Sequence, residues 1–70
     1  MARLNLKSAR EKANMTQNQV AQHLQISVRM YKFIESGDRI GSIELWDKLE
    51  DIFNIHQRIL RENTALKDNQ

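Results

Sequence analysis

Four side chains in the stretch SVRMYKFIES could do chemistry together: Val28, Arg29, Lys32 and Phe33. On a helix turning about 100° per residue, Val28, Arg29, Lys32 and Ser36 share one side, with Phe33 at its edge. Met30, Tyr31 and Ile34 fall on the opposite side, the one a core would take. A purely solvated face would be more uniformly polar. A face presented to a DNA major groove has a use for each type. Arg binds guanine O6 and N7 in bidentate fashion, Lys reaches phosphate or guanine, and Val or Phe packs against a thymine methyl. The competing reading places Val28 and Phe33 on the rim of the core.

Phosphate contacts call for amides and polar side chains at helix starts. Gln17 and Asn18 open the preceding helix, Ser27 precedes the helix just described, and Ser42 precedes the next one. Arg39 and Gly41 lie in the loop between the last two. Each residue alone reads as plain capping or turn chemistry. Together they would flank one helix and face the two DNA backbones.

These residues need short helices to position them. The stretch TQNQVAQHLQISVRMYKFIESG runs as an amphipathic pattern that stumbles once, at Gln25-Ile26-Ser27. Thr16-Gln17-Asn18-Gln19 fits a capping box, and Val20, Ala21 and Leu24 follow on one face. Gln25 then ends the second helix, Ile26 plugs the core, and Ser27 caps a third helix over residues 28–36 that stops at Gly37. A turn of about three residues between two short helices is helix-turn-helix spacing. The first helix is expected from Asn5 to Asn14, with Leu6, Ala9 and Ala13 inward. A fourth runs from Ile43 to Phe53, with Ile43, Trp46, Leu49 and Phe53 as its core stripe, widened by Leu45 and Ile52. A fifth runs from Gln57 to Leu66.

Composition narrows the function. Seventy residues predict a single domain over 1–70, with 67–70 as a frayed tail. Without cysteine, neither a disulfide nor a thiolate zinc site can form. No apolar run approaches the roughly 20 residues of a membrane span, and no leader pattern opens the chain, so a cytoplasmic protein is expected. Residues 1–40 hold seven Lys/Arg against three acids, and residues 41–70 hold four against six. A basic front and an acidic back suit a polyanion held by one side of the molecule. His23 and His56 have no ligand-spaced neighbours, and Glu44, Asp47, Glu50 and Asp51 read as a solvated face. No catalytic residue, metal, cofactor or small-molecule ligand is expected.

The same stretch resembles the phage repressor/Cro-like helix-turn-helix family, also called XRE. The resemblance rests on the Thr-Gln opening of the second helix, Ala21 facing the third, a Ser before that helix, and Ile34-Glu35-Ser36-Gly37 closing it. Arg10 and the pattern through Leu49 and Phe53 also match, and the likeness covers Leu6 to Leu60. It implies an all-α, compact bundle of five short helices, the lambda repressor-like DNA-binding fold. By this resemblance Gln17 would contact phosphate, while Ser27, Val28, Arg29 and Phe33 would take base-facing positions. Arg10 would pair with Glu35 in a structural ion pair and also reach a phosphate. Two positions depart from the pattern: Gln25 stands where Gly is usual, and Tyr31 where Ile or Val is usual. A left-handed Gln25 would be strained by about 1–2 kcal/mol, and the Tyr31 hydroxyl needs a partner.

The implied function is a sequence-specific DNA-binding transcriptional regulator, a repressor, with helix 28–36 in the major groove of double-stranded operator DNA. The operator would be partly palindromic and the protein a homodimer, joined through the fifth helix or the loop before it, where Leu60 and Leu66 would be exposed. The alternative is a protein-interaction module of the same fold, such as an antitoxin or anti-repressor component.

Overall fold

Side-chain caps start most of the helices, and left-handed residues stop most of them. The computed structural model describes residues 2–62. Along them run α1 (Leu4–Lys12), α2 (Gln17–Leu24), α3 (Val28–Ser36), α4 (Ile43–Phe53) and α5 (Gln57–Leu60), with no strand among the described residues. The fold is all-α.

Thr16 forms a full capping box. Its hydroxyl accepts from the Gln19 amide at 3.1 Å, and the Gln19 side chain accepts from the Thr16 amide at 2.8 Å. Ser27 and Ser42 cap α3 and α4 by accepting from the Met30 and Leu45 amides. At the other ends, Asn14, Gln25, Gly37 and Asn54 all take positive φ. Gln25 does so at φ 60°, and the chain turns there directly into the α3 cap.

One core holds the five helices together. It consists of Leu6 and Ala9 from α1, Val20, Ala21 and Leu24 from α2, Tyr31 and Ile34 from α3, Leu45, Trp46 and Leu49 from α4, and Leu60 from α5. Met15, Ile26, Val28, Met30, Ile52, Phe53 and Ile55 pack around it half-buried. Trp46 is buried and satisfies its indole N–H on the Ile40 carbonyl at 2.6 Å. Gly41 has φ +80°, and a Cβ there would stand 3.1 Å from Ile34 Cδ1 and 3.3 Å from Leu45 Cδ2. The loop can lie close over α3 and α4 because glycine occupies that position.

Several sequence expectations need correction. Ile43 is 77% exposed and outside the core stripe. With Leu45, Trp46, Leu49, Ile52 and Phe53 inward, Ile43 falls about 120° from the middle of that face at 100° per residue. Ala13 is exposed because α1 ends at Lys12, before the turn in which it would have faced inward. Helix α1 also starts a residue early, at Leu4. Leu60 is fully buried, so it is no dimer surface. Helix α5 ends at Leu60, with Arg61 and Glu62 outside it, and the expected stretch 63–66 lies outside the described residues. Side chains from the N-terminal segment take carbonyls there: Asn5 donates to the Ile59 carbonyl at 3.2 Å and Arg3 to the Arg61 carbonyl at 3.0 Å. The expectations for Leu66 and for the tail 67–70 lie outside the described residues.

Candidate nucleic-acid interface

Glu35 fixes the orientation of α3. Its carboxylate is buried and faces three elements at once. Arg10 of α1 donates to it from Nε at 2.8 Å and Nη2 at 3.2 Å. The Tyr31 hydroxyl, one turn earlier on α3, donates to it at 2.8 Å. Gln17 Nε2 of α2 donates to it at 3.2 Å. A buried carboxylate is tolerated when a cation and further donors satisfy it. This network therefore ties α1, α2 and α3 together at the inner side of α3. The hydrogen bond to Glu35 raises the Arg10 guanidinium above its ordinary range, against the opposing effect of burial. Burial raises the Tyr31 phenol well above its ordinary range, and the bond to Glu35 raises it further.

With that side locked, the other side of α3 turns outward. Arg29 and Lys32 are exposed, whereas Tyr31 and Ile34 are fully buried. Among the described residues the ion pair is Arg10–Glu35, so neither Arg29 nor Lys32 meets a carboxylate at ion-pair distance. Phe33 is half-buried, with the Arg29 guanidinium carbon 6.0 Å and that of Arg39 5.6 Å from its ring centroid. Val28 is half-buried and packs against the edge of the core while bordering the same face.

The residues read as phosphate contacts divide into two groups. Asn18, Ser27, Arg39 and Ser42 are exposed, and Gly41 is half-buried beside them in the loop before α4. The Ser27 and Ser42 hydroxyl oxygens accept from their own helices, which leaves each O–H to donate outward. Arg10 is different. Besides its two bonds to Glu35, it donates from Nη1 to the Met15 carbonyl at 2.9 Å, and its side chain is 12% exposed. That side chain faces the internal network. Gln17 is half-buried, with its amide nitrogen drawn to Glu35 and its side-chain carbonyl outside that bond.

Arg3 escaped the sequence reading altogether. It is 5% exposed, lies over the Trp46 ring at 5.2 Å, and donates to the carbonyls of Ile34, Arg39 and Arg61. It thereby satisfies the C-terminal end of α3 and the following loop, where α3 has no basic residue of its own in its last turn. Burial lowers its guanidinium from the ordinary range, and the neighbouring Arg61 charge adds to the effect. No local signal marks the role of Arg3, since the carbonyls its side chain reaches all lie far along the chain.

Among the described residues no helix is long and apolar enough to cross a membrane. A helix-turn-helix family model matches residues 6–56. Comparison with curated proteins and with solved structures finds no match.

Proposed function

The chain belongs to the XRE-type helix-turn-helix family of DNA-binding transcription regulators, and from that premise we propose that it represses transcription by placing α3 in the major groove of a partly palindromic operator. The observation that carries the proposal is the outward face of α3. Arg29 and Lys32 stand there exposed and without a carboxylate, on a helix whose inner side is held by Glu35 and its three partners. In this reading Arg29 addresses a guanine edge and Lys32 a guanine or phosphate. Val28 and Phe33 supply apolar contact for thymine methyl groups. Asn18, Gln17, Ser27, Ser42, Arg39 and Gly41 surround that helix with donors for the two backbones. A homodimer would read two half-sites centred about 34–36 Å apart.

The test uses a duplex that the protein selects from a random pool, together with Arg29→Ala. The variant should lose about 1–3 kcal/mol of discrimination at one base pair, with a smaller loss on unselected DNA. Equal losses on both would reject a base-reading role. One observation favours a second reading, a protein-interaction module such as an antitoxin or anti-repressor component: Ile40 and Ile43 are 69% and 77% exposed beside the cap of α4. An apolar protein contact would be nearly indifferent to salt, which DNA binding would not be.

A further inference from the structure

Arg39 belongs to the loop after α3, yet its guanidinium lies over a ring of α3 itself. Its Cζ is 5.6 Å from the Phe33 centroid, and Arg29 Cζ is 6.0 Å from the same centroid. The backbone fixes this approach. The Asp38 and Arg39 amides both donate to the Phe33 carbonyl, at 2.9 and 3.2 Å, and the Gly37 amide donates to Ile34 at 3.2 Å. Gly37 takes φ 90°, which lets the chain fold back over the end of α3 in a Schellman arrangement. The Arg39 carbonyl then accepts from the buried Arg3 at 2.9 Å. The loop thus continues the outer surface of α3.

Neither guanidinium has a carboxylate within ion-pair distance among the described residues. Two like charges repel, and the negative face of an aromatic ring offsets part of that repulsion. Two unneutralised, planar donors gathered on one ring suit a ligand that offers acceptors and negative charge side by side. A guanine edge with its neighbouring phosphate is such a ligand.

We infer that Phe33 is a positioning residue that holds Arg29 and Arg39 as one cationic pair, and that Arg39 determines specificity together with Arg29 on the same half-site. The inference rests on the DNA-binding reading and assigns Arg39 a role beyond a separate phosphate contact. Phe33 then acts through the two arginines more than through its own contact with a base. Lys32 shares the face without lying over the ring, so it serves as the internal control.

The full chain is tested on a duplex selected by the wild-type protein, against a duplex altered at the base pair that Arg29 reads. Phe33→Leu should lower that preference about two- to fivefold, the scale of an exposed cation–π contact, and Phe33→Tyr should retain it. The loss caused by Arg39→Ala should shrink in the Phe33→Leu background, whereas the loss caused by Lys32→Ala should not. Without DNA, ring-current shifts of the Arg29 and Arg39 side-chain protons should persist in Phe33→Tyr and vanish in Phe33→Leu at unchanged helical circular dichroism. Arg39→Ala alone leaves the Phe33 ring and Arg29 in place: it should reduce preference for the selected duplex, whereas a bare phosphate contact would weaken all duplexes alike. Full discrimination in Phe33→Leu, or uniform weakening by Arg39→Ala, would overturn the inference while leaving the DNA-binding reading intact. A wild-type protein that selects no duplex would sink both.

Discussion

Glu35 carries its charge to a position that is 6% exposed and meets Arg10, Tyr31 and Gln17 there. The sequence gives reason to expect the first of these partners, since a Glu on a core-packed helix needs a cation. Tyr31, where the family usually has an aliphatic residue, gains a partner for its hydroxyl in the same carboxylate. This has a consequence at high pH. The folded state holds the Tyr31 phenol protonated above its ordinary range, whereas in the unfolded chain it ionises near about pH 10. The stability Tyr31 contributes is therefore complete below that pH and drains away as pH rises above it. The chain has one tyrosine, so tyrosinate absorbance reports this residue alone. Titrated upward, that absorbance should appear together with the loss of helical circular dichroism. Tyrosinate forming near pH 10 in a protein that keeps its helices would contradict the buried bond.

At the scale of elements, local chemistry decides where helices start and stop. The capping box at Thr16, the serines at 27 and 42, and the terminators at Asn14, Gln25, Gly37 and Asn54 are each readable from a few neighbouring residues. Gln25 is the informative one because its φ of 60° and ψ of 40° suit glycine better. Its side chain is exposed. Gln25→Gly should therefore stabilise the domain by up to about 1 kcal/mol, relief of left-handed strain outweighing glycine's greater freedom when unfolded. Urea unfolding measures this, and a lower midpoint would show that the turn is unstrained. Misreadings arose where apolar residues outnumber the places available. Ile43 fits a stripe drawn through Trp46, Leu49 and Phe53 alone, yet the core face also includes Leu45 and Ile52, which turns its middle away from Ile43.

Over the whole molecule, cations of α3 and its following loop stand open, while two acids of α4 are engaged by a neighbouring side chain. Arg29, Lys32 and Arg39 gather on and beside the outer side of α3. In α4, Asp47 and Glu50 accept from Gln57 of the fifth helix. The proposed DNA contact would use that open cationic side of α3. Binding through about six phosphate contacts should weaken roughly a thousandfold between about 50 and 200 mM salt. Lys32→Ala should lower the slope of log affinity against log salt by about 1. A fluorescence anisotropy series checks both, and a flat salt response would favour the apolar protein contact at Ile40 and Ile43.

The amino-acid sequence by itself determined the helical class, the three hydroxyl caps, the interrupted pair α2–α3 and the cations on the outer side of α3. All of these follow from contacts within a turn or two of the chain, or from helical period. Only the tertiary structure decided which apolar residues the core accepts, that Tyr31 and Gln17 join Arg10 on Glu35, and that Arg29 and Arg39 both approach the Phe33 ring. Arg3 is the extreme case: its carbonyl partners lie 31, 36 and 58 residues away. Nothing near Arg3 in the chain signals those contacts, because they exist only once the first helix, the loop after α3 and the end of α5 have come together.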